Sequence, residues 1–514
     1  MSKFFKEHYQ VVIIGGGLAG MACALRLQKW GIKDILILEK HNLPGGLATS
    51  FVRSGREIEA TLHEMMSIGN EKDQLKVGAF FEEMGVDIKW LPVPECYRVV
   101  CPEDDLDIIL HDGYETAARE IDKEVPGTYQ QTLDFFKLMR RVYDSMNYLS
   151  VNEVPKAKML LQHTDFVRTL GYSATEVMDA LGIPERVRKI LSPYWIYVGH
   201  PIDDLPFTIY SFLMADYFTG SYVCEKFSHE MSMRMEKKVE DNGAQFEFHQ
   251  EVDKILVKNG KVTGVRTKSG YEINADYVVS AAYPNKVYTQ MIEPLSEVPP
   301  QAIKMINARE LSVCPVSVIL QIEGSPEENG IINYSTFSGD TLDTNKIWEN
   351  YKQYKEPFNY VTTICLNMAN PNLPKNITQL SVTALPLSTA FKDVTADNYF
   401  EFKRLLAEHL IEKSIEVTGV DYRNRIIDVE VTTPMTIAHY VGAWKGCIYG
   451  YSHSMDDHAV ARKQMPGAEN FIEGLAFAGA HAISGDGMGP AITNGQAAAK
   501  EIHEAELAKK GAKK

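Results

Sequence analysis

Val11-Val12-Ile13-Ile14-Gly15-Gly16-Gly17-Leu18-Ala19-Gly20, followed by Ile35-Leu36-Ile37-Leu38-Glu39, is the stretch that decides the fold. An apolar run enters Gly-x-Gly-x-x-Gly. Met21, Ala24, Leu25 and Leu27 then fall on one helical face, and a second apolar run closes on an acid. Strand, glycine turn, helix, strand and acid in this order form one Rossmann-type β-α-β unit. Gly15 permits the tight turn, Gly17 lets the backbone approach a pyrophosphate, and Gly20 lets the helix pack on the strand. Leu18 and Ala19 open the helix, whose unpaired N–H groups and positive dipole end suit a diphosphate. Glu39 follows the glycines by roughly twenty residues, where a carboxylate can accept hydrogen bonds from both ribose hydroxyls. The same charge repels a 2′-phosphate, which disfavours NADP, and Lys40 adjoins it on the same site.

The next residues separate an extended FAD from a simple NAD site. Pro44-Gly45-Gly46-Leu47-Ala48-Thr49-Ser50-Phe51 supplies a second glycine pair. NAD needs none here, whereas the flavin half of FAD runs past the pyrophosphate and needs another bare backbone to lie against. The set from Gly15 to Glu39 and Gly45-Gly46, continued by Arg53, Gly55, Leu62-His63 and Gly69, resembles the two-dinucleotide-binding-domain flavoproteins. Within that group it is similar to the branch of phytoene desaturases, carotenoid isomerases and retinol saturases.

The far end carries the same resemblance. Gly474–Ala480 forms a short strand ending in small residues, and Gly485, Gly487, Gly489-Pro490-Ala491 and Asn494-Gly495 open a helix. This is similar to the family's C-terminal flavin motif, which implies flavin contacts at Gly479, Gly487 and Ala491. The family carries Gly-Asp after the strand; here Ala480-His481 follows Gly479, and Asp486 is the candidate substitute for the acid. Between the ends, Phe246–Val257, an Asn259-Gly260 hairpin turn, Lys261–Thr267, a Ser269-Gly270 turn and Tyr271–Ala275 read as a meander, and Val278–Ala281 as a buried strand. The resemblance implies that Val252 meets adenine through its backbone.

The expected fold is α/β: a Rossmann-type FAD-binding domain assembled from discontinuous segments, with an α+β substrate-binding domain. Residues 1–70, 222–300 and 437–514 are assigned to the FAD domain, and residues 71–221 and 301–436 to the substrate domain. The first insertion reads as mostly helical, through Tyr129–Asn147, with dense aromatics at Tyr194–Tyr197 and Phe207–Tyr222 that either pack a core or line an apolar tunnel. The second alternates as a sheet does, at Val316–Ile322 and Tyr360–Leu366.

Composition bounds the function. The chain has 514 residues, a net charge of −15 and seven scattered cysteines. The acidity argues against nucleic acid as a partner and against attraction to an anionic membrane. No apolar run of about eighteen residues is present to span a bilayer, and the first residues lack a secretory apolar segment. Unpatterned cysteines suggest reduced thiols and a cytoplasmic address, with peripheral membrane contact through an apolar patch left open. No metal-ligand spacing occurs.

Flavin supplies its own hydride chemistry, so no catalytic pair is required in the sequence. The candidates are His63, at the family's Leu-His position, and His481, at the flavin end of the C-terminal motif. Either imidazole could shuttle a proton near neutrality. Glu59 and Glu64 are expected to pair with Arg53 or Arg56, while His200 and Tyr194 are outlying candidates in the insertion. The resemblance implies an FAD-dependent oxidoreductase that adds or removes hydrogen at a carbon–carbon bond of an apolar polyene or isoprenoid small molecule. The alternatives are a reduced-flavin double-bond isomerase, a flavin amine oxidase and a flavin-bound binding protein. With no second complete β-α-β fingerprint, the electron partner is expected to be a quinone, oxygen or a protein carrier.

Overall fold

The computed structural model describes residues 5–61, 63–69, 75–152, 154–463, 470–482, 485 and 487–511. Among these, eight strands form the first sheet. Its parallel centre pairs His8–Ile14 with Ile35–Leu38 on one side and with Glu272–Ser280 on the other. Residues along these strands alternate between two cores: Val11, Ile13, Ile35 and Ile37 face one, and Val12, Ile14, Leu36 and Leu38 the other. Both sheet faces are covered, which is why these strands are continuously apolar.

The helix Leu18–Lys29 is buried almost all round, and not on one face as its sequence suggests. The reason is the C-terminal helix Met488–Gly511, which lies against it. A Cβ at Gly495 would sit 2.1 Å from the Ala19 carbonyl oxygen, so the two helices meet backbone to backbone.

Val252–Lys258 and Lys261–Thr267 form the expected hairpin, with Asn259 and Gly260 both at positive φ, 55° and 74°. The third strand differs from the sequence reading. Tyr271–Ala275 and Val278–Ala281 are not two elements but one nine-residue strand, Glu272–Ser280. It pairs antiparallel with the hairpin and parallel with His8–Ile14, welding the meander to the Rossmann sheet. Leu475–Phe477 adds parallel to its far end, Val278 opposite Leu475.

The second sheet has the order Ile426–Thr432, Val316–Glu323, Ile377–Ala384, Tyr360–Cys365, Ser335–Gly339, Tyr97–Cys101, Leu106–Leu110. The last two strands come from the insertion expected to be mostly helical. Their alternation (Tyr97, Val99 and Cys101 inward, then Leu106, Ile108 and Leu110) is short and interrupted by Pro102, so it is a weak signal beside the long helix Tyr129–Val151. Helices of that insertion cover this sheet, and most of the insertion's own aromatic side chains pack there. No helix among the described residues is long and apolar enough to cross a membrane.

Candidate functional site

Parallel register aligns the carboxyl ends of four strands. Ile14, Leu38, Ser280 and Phe477 lie at one edge of the first sheet, and the chain leaves each of them into one cavity of about 980 Å³. Ligands of open α/β sheets bind at such edges, because helix N-termini and bare turns converge there.

Gly15, Gly17, Leu18, Ala19, Glu39, Lys40, Gly45, Gly46, Leu47, Ala48, Val252, Gly479, Gly487 and Ala491 all line this cavity. Gly20 does not: a Cβ there would lie 2.2 Å from the Gly15 carbonyl oxygen, so its role is to let helix and strand touch. Asp486 lies outside the described residues. Gly15 has φ +103°, which L side chains rarely adopt. The two glycine runs face each other, with the Gly45 N–H donating to the Gly16 carbonyl at 2.9 Å. Gly45 has φ +105°, and a Cβ there would strike the Ala48 carbonyl at 2.3 Å.

Glu39 is pinned in place. It accepts from the Gly16 amide at 2.7 Å and the His41 amide at 2.8 Å, one bond to each oxygen. Each carboxylate oxygen keeps a further lone pair, and the side chain borders the cavity. Lys40, which also lines the cavity, donates to the His439 carbonyl at 3.0 Å. At the other end, Asn494 is buried at the start of the C-terminal helix and donates to the Gly479 carbonyl at 2.8 Å. This bond holds the last strand's exit against the helix N-terminus.

His63 and His481 also line the cavity, but burial changes their chemistry. It pushes His63 down to about 4 and His481, with Arg309 adding repulsion, to about 3. Both imidazoles are therefore neutral near pH 7. Among the described residues the buried Nε2 of each finds no hydrogen-bond partner. His200 and Tyr194 are outside this cavity wall. His200 is held by Asp204 at 2.6 Å and Ser452 at 2.9 Å, and Tyr194 donates to the Cys96 carbonyl at 2.6 Å.

The expected ion pairs of Glu59 and Glu64 do not form. Glu59 accepts from the Ser228 amide at 2.9 Å and its hydroxyl at 2.5 Å, while Arg53 pairs with Glu430 at 3.3 Å. Glu64 lines the cavity with neither oxygen in a hydrogen bond of good geometry. Burial pushes its carboxyl up to about 8; repulsion from Glu95 adds to this, and the nearby Ser335 hydroxyl offsets a part. Tyr197 and Tyr217 share this wall, and Tyr334 donates its hydroxyl to the His63 carbonyl. Sequence reading noticed the aromatic runs holding Tyr197 and Tyr217 but had no signal for Tyr334 or Tyr449, which arrive from remote segments. Among the described residues no group of three or more His, Cys, Asp or Glu could hold a metal ion.

The chain matches the family described as flavin containing amine oxidoreductase over residues 18–503. It belongs to that family. Relatives include an all-trans-retinol 13,14-reductase of Danio rerio, 24% identical over 523 residues, covering 92% of this chain and 84% of the relative. A 4,4'-diapolycopene oxygenase of Methylomonas is 23% identical over 502 residues, covering 95% and 97%. An oxidoreductase structure from Methanosarcina mazei aligns over 96% of this chain and all of its own, with a TM-score of 0.63 at 16% identity. The protein is an FAD-dependent oxidoreductase. The residues present fit that cofactor: facing glycine runs, a pinned acid with free lone pairs, and two helix N-termini border one cavity.

Proposed function

We propose that this flavoenzyme adds or removes hydrogen at a carbon–carbon bond of an apolar polyene or isoprenoid molecule. The carrying observation is that the glycine cradle and an apolar, tyrosine-bearing wall belong to one continuous cavity. Met65, Met66, Tyr197, Tyr217, Ile448 and Tyr449 form that wall, a surface suited to a conjugated chain and poor in fixed charge. The names of the reductase and oxygenase relatives, whose substrates are a retinoid and a carotenoid, support the same class.

On this reading Glu39 holds the adenosine ribose, Val252 meets adenine, and Gly15, Gly17, Leu18 and Ala19 receive the pyrophosphate. Gly45, Gly46, Leu47, Ala48, Gly479, Gly487 and Ala491 border the flavin half. Bound flavin supplies the two-electron hydride chemistry. The chain orients the polyene, excludes water and manages the proton. Electrons are exchanged with a quinone, oxygen or a protein carrier.

The test is anaerobic incubation of the reduced, purified holoenzyme with all-trans-retinol and with acyclic carotenes, followed by mass spectrometry. A gain of two hydrogens supports the reading. Unchanged mass with a moved or rotated double bond replaces it with isomerisation. Inertness toward all polyenes, with peroxide released when alkyl amines are offered to the oxidised enzyme, replaces it with amine oxidation.

A further inference from the structure

The cavity wall carries four carboxyl groups among the described residues, and three are engaged. Glu39 is held by two amides, Glu251 by Lys268 at 2.7 Å and Glu430 by Arg53 at 3.3 Å. Glu64 differs: among the described residues neither of its oxygens has a hydrogen-bond partner of good geometry, and only the Ser335 hydroxyl stands near enough to offset part of its burial. The groups acting on it come from every element around it. They are Glu95 and Cys96 on the segment before Tyr97–Cys101, Tyr194 and Tyr197, Tyr217 at the end of Phe207–Tyr217, and Tyr334 and Ser335 at the start of the interior strand Ser335–Gly339. Among the described residues no cation is one of them. His63 adjoins it in sequence and is neutral.

Position adds to this. Two residues on, Met66 lies against the start of the C-terminal helix: a Cβ at Gly489 would stand 3.8 Å from the Met66 carbonyl and 3.9 Å from its side chain. That helix N-terminus is the one assigned above to the flavin half. Glu64 therefore sits where the apolar wall meets the flavin end of the cradle.

We propose that Glu64 is the catalytic acid of this site, delivering the proton that accompanies hydride transfer to a carbon–carbon double bond. This rests on the function proposed above. Glu64 gives its proton to one carbon of the double bond while the adjacent carbon accepts hydride from reduced flavin. The π bond breaks, two C–H bonds form, and two electrons pass from flavin to substrate. The Glu64 carboxylate left behind recovers a proton from water. In the dehydrogenating direction the same carboxylate takes the proton away.

Alternative donors on this wall are poorer. The buried tyrosines are pushed well above their usual range, and both histidines lack the extra proton at pH 7. Glu64, raised to about 8, is protonated at neutrality and yet a competent acid, near the operating pH where general catalysis is efficient.

The experiment compares wild type with Glu64→Gln and Glu64→Asp as holoproteins, using all-trans-retinol or an acyclic carotene as probe. Infrared difference spectra should show a protonated-carboxyl stretch in wild type that titrates away near pH 8 and is missing in Glu64→Gln at equal flavin content. In single turnover from the reduced enzyme in D2O, wild type should place one solvent deuteron on one carbon. Glu64→Gln should be slower by about 10²–10⁴-fold, with KM changed far less than kcat, and Glu64→Asp should recover part of the loss. An active wild type matched within threefold by Glu64→Gln, or a wild type without the titrating band, overturns the assignment. A wild type inert toward every polyene instead overturns the proposed function, and this role with it.

Discussion

Glu39→Ala is the sharpest probe of the cofactor cradle. Glu39 is only 7% exposed, and its carboxylate accepts from the Gly16 and His41 amides at 2.7 and 2.8 Å. Bonds to a charged acceptor are worth about 1.5–3 kcal/mol each. Alanine removes both amide bonds, but its site borders a cavity, so water can reach the two freed N–H groups. The loss of apoprotein stability is therefore held to the low end, about 2–3 kcal/mol. The ribose bonds are a separate loss felt only with FAD present. Two of them at about 1.5 kcal/mol amount to about 3 kcal/mol, or roughly a hundredfold in Kd. Glu39→Gln keeps one acceptor oxygen but turns an NH2 toward one of the two amides, so it should fall between alanine and wild type. FAD titration of the apoprotein, followed by fluorescence quenching, reads the affinity, and urea unfolding of the same apoprotein reads the stability. An alanine variant that loses stability yet binds FAD within threefold of wild type refutes the ribose contact and leaves Glu39 a purely structural clamp.

Gly495→Ala should destabilise the protein by at least about 1–3 kcal/mol, because its Cβ would stand 2.1 Å from the Ala19 backbone oxygen, which cannot yield as a side chain would. Urea unfolding checks this, and an unchanged midpoint would mean that the two helices do not meet as described. Asp216, buried between Ser67 and Tyr143, is pushed up to about 6 by desolvation. Its contribution to stability is therefore complete below the usual carboxylate range and is lost as pH rises toward about 6, with an upper limit of about 3 kcal/mol. Asp216→Asn should flatten that part of the pH–stability curve; a slope equal to wild type between pH 4 and 6 would contradict the burial argument.

How far the site could be read along the chain follows from how local each determinant is. Gly15, Gly17, Gly20 and Glu39 act within one β-α-β unit, where strand register alone brings Glu39 beside Gly15, so spacing suffices. The Asn259-Gly260 turn is equally local. Glu272–Ser280 was read as two strands because its two halves serve different neighbours, one antiparallel and one parallel, and only pairing reveals their continuity. His63 and His481, named from the sequence as candidate proton shuttles, line the cavity; their neutral state was not legible there, since desolvation depends on what covers a side chain and not on what precedes it.

Glu64 marks the boundary between the two kinds of knowledge. The order of glycines, apolar runs and acids was enough to point to FAD and to a Rossmann-type fold assembled from separated pieces, because each piece is a short backbone conformation that its own residues dictate. Whether Glu64 pairs with a nearby arginine or stands unpaired before an apolar wall was decided by residues 95, 197, 217 and 334, brought together from both insertions. A side chain's charge state is set by solvent exclusion and by neighbours within a few ångströms, and those are products of the tertiary fold.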